Sequence, residues 1–236
     1  MKNWNWMGAA VLAAASPVDT ADYAWKEGEY KVLENAQFKL YVRPQGASVM
    51  SIWSKAIGAE LTNPSAAGSF TEFCWDRGKS RDFLLKQPFA MRYSTGDGGL
   101  IVAEGTGNAQ GGDINFLKVE KRYSSSDDST ALRVDYRFTN IPEAMSLVNY
   151  ALLIHATLGV FGRDVTCFYP LQDGIKVAAP GKRGNEFTLP RPGRGWMAAA
   201  TDDGLGVAIT LPYRDIKAFY SWYSPVPTME WQAIPL

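Results

Sequence analysis

The chain has 236 residues, 24 basic and 24 acidic side chains, and one histidine. That balance removes the basic footprint of a nucleic-acid binder and gives no attraction to an acidic membrane surface. The 46% hydrophobic and 13% aromatic shares suit a chain with a real core, and its length suits one large β domain better than two small ones.

The chain opens with Lys2, an apolar stretch over residues 7–15, and Ala13 and Ala15 in a small-x-small pattern. This reads as an export signal cleaved after Ala15. Residues 1–21 are then a signal peptide and short leader, residues 22–236 are the working domain, and the location is secreted or periplasmic. A buried first strand is the alternative reading of the same residues. The stretch is shorter than the roughly 20 apolar residues of a membrane helix, so no integral membrane segment is expected.

Period-two alternation then dominates. Phe38, Leu40 and Val42 alternate with Lys39, Tyr41 and Arg43. A turn cluster comes next at 95–99, and the glycine-rich 105–112 reads as a flexible turn between strands. After a second cluster at 124–129, Leu132, Val134, Tyr136 and Phe138 alternate with polar residues. Such segments are half-buried strands, and Gly, Asp and Ser mark the turns between them. The apolar 145–161 admits a buried helix. Strand is preferred, because Tyr150, Leu152 and Ile154 alternate with Ala151, Leu153 and His155, and Gly159 interrupts the remainder. Cys167 lies in an apolar run and is either a buried thiol or a partner for Cys74. Residues 181–195 hold Pro190, Pro192, Lys182, Arg183, Arg191 and Arg194. They read as a long loop, either solvated or meeting an acidic sugar. Further turns at 172–174 and 201–204 frame a last clear strand, Leu205, Val207, Ile209 and Leu211. Regular short strands and turns indicate a sandwich or barrel.

Much familiar chemistry is absent. One histidine excludes a multi-histidine zinc site, and no Gly-x-Ser-x-Gly elbow accompanies it. The glycines at 105–112 lack both phosphate-loop and dinucleotide spacing. Asp127 with Asp128, and Asp202 with Asp203, are turn carboxylates without calcium-loop spacing. No metal or cofactor is expected.

Three stretches resemble the galactose mutarotase-like superfamily, the β-supersandwich of aldose epimerases and many carbohydrate-active enzymes. In 38–61 a strand leads to Gly46, Ala47 and Ser48, then to Lys55 and the run Gly58, Ala59, Glu60, Leu61. In 132–158 a strand ending in Thr139 and Asn140 precedes Pro142 and a strand carrying His155. In 227–235 Glu230, Gln232 and Pro235 are similar to a late family motif whose glutamate is the catalytic base. The resemblance implies an all-β, antiparallel supersandwich with little helix. It also implies Glu230 as base and His155 as acid in sugar anomerisation, a pairing that needs pKa values near the working pH. Arg77 and Arg81 stand nearest in chain position to the family's sugar-holding arginine. Trp222, Trp231 and Arg194 are further candidates for sugar contact, although strand aromatics often pack across strands instead. The epimerases carry a second, earlier histidine that this chain lacks.

The leading reading is therefore a carbohydrate-binding domain of an exported carbohydrate-active protein, with a mono- or oligosaccharide as ligand. One alternative is an aldose 1-epimerase-like isomerase. Another is a non-catalytic domain packed on a C-terminal glycoside hydrolase or polysaccharide lyase domain beyond Leu236. In a hydrolase, Asp82, Glu72 or Asp173 would be the acid to join Glu230.

Overall fold

The structure is a computed structural model, and it describes residues 2–12, 29–62, 68–76, 79–81, 87–109, 117–139, 150–157, 159–178, 187–190, 193–212, 216–222 and 228–233. Strand β1 (Lys2–Leu12) comes first. Next are β2 (Lys31–Glu34), β3 (Phe38–Arg43), β4 (Ser48–Ser54) and β5 (Ala59–Glu60), which form a four-stranded sheet in chain order. A short pair, β6 (Thr71–Asp76) and β7 (Lys79–Arg81), precedes the meander β8 (Ala90–Gly96), β9 (Leu100–Asn108), β10 (Lys118–Ser125) and β11 (Ala131–Thr139). Then come β12 (Tyr150–Thr157), β13 (Thr166–Pro170), β14 (Ile175–Ala178) and β15 (Phe187–Pro190). The last four are β16 (Trp196–Ala200), β17 (Gly206–Thr210), β18 (Ile216–Trp222) and β19 (Thr228–Ala233).

These strands make two larger antiparallel sheets. One has nine strands in the order β14-β13-β16-β17-β1-β11-β10-β9-β8, and the other has six in the order β15-β18-β19-β12-β6-β7. The helical content among the described residues is a single 3-10 turn at Asp97–Gly99. Alternation accounts for the core. Phe38, Leu40 and Val42 of β3, Leu132, Val134, Tyr136 and Phe138 of β11, and Val207 and Ile209 of β17 are all buried. They join Ile154 of β12 in one cluster, so the three sheets share a single core. Asp127 acts as a turn carboxylate that binds other turns. It accepts the Ala36 N–H at 2.6 Å, while its own N–H donates to the Gly98 carbonyl at 2.9 Å.

The structure departs from the sequence reading in two places, decides two open points, and places in the leader segment the strand that is its alternative reading. Lys2–Leu12, the segment read as a leader, forms β1 between β11 and β17. Trp4 and Trp6 fall opposite the core residues Tyr136 and Val134, at alternate positions with Asn3 and Asn5. Residues 105–108 are not a turn, because β9 runs on to Asn108. A Cβ on Gly107 would lie 2.7 Å from the Phe89 ring, and one on Gly105 would lie 2.7 Å from the Ala47 Cβ and the Met91 sulfur. These glycines make room for neighbouring side chains within a strand. The stretch 181–195 contains strand β15 at the edge of the six-stranded sheet, where Pro190 at the strand end is tolerated. Residues 150–157 are strand rather than helix. Cys167 is a buried free thiol, with its pKa pushed up by burial.

Candidate functional site

The centre of the six-stranded sheet carries the candidate site. Strands β12 and β19 are neighbours, and their register sets His155 directly opposite Glu230. Opposed residues of an antiparallel pair share one sheet face, with Cβ atoms about 4.5–5.5 Å apart. The same transverse row continues on both sides, with Thr71 of β6 opposite His155 and Tyr220 of β18 opposite Glu230. Thr188 of β15 extends it beyond Tyr220. A row of Thr, His, Glu and Tyr places donor, acceptor and titratable groups across four strands. His155 is half-buried, and Thr71 is buried.

The next row along is out of step with it. Ile154 pairs with Trp231 and with Glu72, and Phe219 pairs with Trp231. Ile154 and Glu72 are buried in the core, so this phase faces the nine-stranded sheet. The sheet thus has two phases, and the His155–Glu230 pair belongs by register to the one opposite to that of Ile154 and Glu72.

The remaining candidates are scattered. Trp222 pairs with Thr228, which pairs with Thr157, so it is in phase with Glu230. Trp231 is in the other phase, opposite Ile154. Arg81 pairs with Cys74, which pairs with Leu152, again out of phase with His155. Arg194 is exposed in the bend leading into β16, a strand of the nine-stranded sheet. Arg77 and Asp82 lie outside the described residues. Asp173 is exposed in the turn between β13 and β14. Glu72 does not join Glu230, because its carboxylate is fully buried and pairs with Lys121 at 2.7 Å.

The run Gly58, Ala59, Glu60, Leu61 has a structural job. The Glu60 carboxylate accepts the Ile52 and Thr62 N–H groups at 2.9 Å and the Thr62 and Ser51 hydroxyls at 2.6 and 2.5 Å. The Glu60 and Leu61 carbonyls then accept the N–H groups of Phe161 and Gly159 at 2.9 and 3.0 Å. The motif therefore closes the β4–β5 hairpin and pins the chain just after β12.

Sequence reading missed a buried polar cluster behind the row. Lys121 of β10 donates to the carbonyls of Gly46 at 2.5 Å and Phe70 at 2.8 Å, besides pairing with Glu72. Tyr136 donates to the Phe70 carbonyl at 3.0 Å, and Tyr123 donates to that of Ala47 at 2.6 Å. Burial holds the Glu72 carboxyl above, and the Lys121 ammonium below, its usual range; each partner's charge partly opposes the shift. Burial also raises both tyrosines well above 10.0. The available signal was Lys121 itself, which shares a strand phase with Val119 and Tyr123.

A separate concavity of about 720 Å³ lies on the nine-stranded sheet, between Arg92, Glu104, Arg122, Asp135 and Arg137. Most of its charges pair with one another, as in Arg122 with Glu104 at 3.1 Å and Arg137 with Glu120 at 3.4 Å. This is a solvated face of low-value surface ion pairs.

Antiparallel sheets sharing one core give this chain a galactose mutarotase-like β-supersandwich fold. Comparison with solved structures gives the same fold. A galactose mutarotase-like protein from Lactobacillus casei superposes with a TM-score of 0.56 at 15% identity, covering 86% of this chain and 87% of that one. A galactose mutarotase related enzyme from Lactobacillus acidophilus gives 0.53 at 12% identity, covering 87% and 86%. An Escherichia coli protein named for a proposed aldose 1-epimerase activity gives 0.54 at 10% identity, covering 86% and 87%. No family model and no curated protein sequence matches the chain.

Proposed function

We propose that the domain binds a saccharide across the His155–Glu230 row, and that anomer exchange of an aldose is the chemistry the row serves. The observation that carries this is the direct opposition of His155 and Glu230 across β12 and β19. In the reaction, Glu230 takes the proton of the anomeric hydroxyl while His155 gives a proton to the ring oxygen. The bond between the anomeric carbon and the ring oxygen breaks, leaving an open-chain aldehyde. Reclosure from the other face returns both protons. Positioned acid–base groups of this kind contribute about 10²–10⁴-fold. Wild-type protein is therefore expected to accelerate anomer exchange of at least one aldose in a panel followed by NMR. Glu230→Gln should reduce that rate by about 10²-fold or more. No exchange above the buffer rate with any aldose would sink the catalytic reading.

A second reading is favoured by one observation. His155 is the single histidine of the chain, whereas epimerases use two. A binding module without turnover fits that count, and it would give glycan-array binding with no acceleration of exchange. Export rests on the opening residues alone. Cell fractionation should find the protein outside the cytoplasm, and its intact mass reports whether residues 1–15 remain.

A further inference from the structure

Thr71 is the member of the row that sequence reading does not bring forward. It is 1% exposed, and its hydroxyl has no hydrogen-bond partner among the described residues. A buried hydroxyl left unpaired is costly, and such an orphan calls for an explanation. Its position supplies one, since the register sets Thr71 directly opposite His155. The adjacent Glu72 belongs to the opposite phase of β6 and faces the core.

The backbone leading into Thr71 is held under strain. Phe70 has φ 60 and Ala47 has φ 42, both in the left-handed region that residues with side chains avoid. Strain of this kind persists only where surrounding contacts over-determine it. Here they do. The Phe70 carbonyl accepts from both Lys121 and Tyr136, and the Ala47 carbonyl accepts from Tyr123. Lys121 also donates to Gly46, next to Ala47, and pairs with Glu72, two residues past Phe70. The buried polar cluster is thus aimed at the two strained points. Stability alone does not require it, because well-packed apolar residues often replace a buried ion pair without loss.

We propose that Thr71 is a polar contact for the ligand of the His155–Glu230 row, and that Lys121, paired with Glu72, is its positioning residue, acting through the backbone of Phe70. This rests on the saccharide reading of that row; the ligand group Thr71 meets is then a sugar hydroxyl.

Two measurements test it. Thr71→Val should weaken binding of the best aldose by about tenfold in calorimetric titration. The same variant should unfold no more easily than wild type, because it removes an orphan hydroxyl. Thr71→Ser should bind within about threefold of wild type. Unchanged binding by Thr71→Val overturns the ligand contact. For the positioning role, His155 gives an unambiguous NMR probe as the only histidine. Wild type should show a nuclear Overhauser contact between the His155 ring and the Thr71 methyl. Lys121→Met combined with Glu72→Leu, which strands no buried charge, should lose or weaken that contact while staying folded. An unaltered contact in the folded double variant overturns the positioning role. Should that variant not fold, Lys121→Met combined with Glu72→Gln, which removes the Lys121 donor to Phe70 and leaves a neutral polar group in place of the carboxylate, decides the same contact by the same criterion. A wild type that binds no aldose overturns the saccharide reading and the ligand contact with it. The His155–Thr71 measurement stands or falls separately.

Discussion

Lys121 and Glu72 are a matched pair of buried charges, and their value depends on being removed together. Lys121→Met alone leaves the Glu72 carboxylate unpaired in the core and is expected to cost about 3–5 kcal/mol in urea unfolding. Adding Glu72→Leu should recover most of that loss. The directions of the two shifts set the pH dependence. Glu72 is raised from 4.5 in the folded state, so its contribution to stability is full below that value and lost as pH rises through its folded pKa. Lys121 is lowered from 10.5, so its contribution is full above that value and lost as pH falls through its folded pKa. Between 4.5 and 10.5 both contributions are diminished. The double variant should therefore compare best with wild type inside that window, and its relative standing should decline toward either end. Urea midpoints measured across the range check this. A single lysine on the apolar phase of a strand was visible in the sequence; its partners were not, since Glu72, Gly46 and Phe70 reach it only through the packing of sheets.

Strands with clean alternation were legible. Those of β3, β11 and β17 come directly from Phe38, Leu132, Val207 and their in-phase neighbours. Two elements were hidden for different reasons. The end of β9 looked like a turn because Gly105 and Gly107 carry no side chain, yet the absence serves the Phe89 ring, Ala47 and Met91. Strand β15 looked like a loop because the prolines and charges around it suit an edge as well as a turn. The identities of His155 and Glu230 could be read from the sequence, but their opposition could not. It is a property of the pairing of β12 with β19, which no local pattern encodes. Gly107→Ala tests the reading of β9. It should lower stability by about 1–3 kcal/mol through overpacking against Phe89. Gly174→Ala, where an added Cβ meets nothing within 4 Å, should stay within about 0.5 kcal/mol of wild type. Urea unfolding of the two variants side by side measures the difference.

At the scale of the whole molecule, one core serves all three sheets, so a loss in one sheet is expected to reach the others. Strand β1 is the sharpest case, because it fills the middle of the nine-stranded sheet and pairs with both β11 and β17. A chain lacking residues 1–12 leaves those two strands with facing unpaired edges. Calorimetry should show a lower unfolding temperature and a smaller unfolding enthalpy for that chain. The same arrangement has a consequence for biosynthesis. Ala9 pairs with Ile209, about 200 residues later in the chain. At roughly 5–20 residues per second, the first strand leaves the ribosome some 10 to 40 seconds before one of its two neighbours exists. Throughout that interval the nascent chain carries an apolar strand with an open edge, a template for pairing with other chains. Correct assembly then depends on whatever keeps that edge covered until β17 has been made.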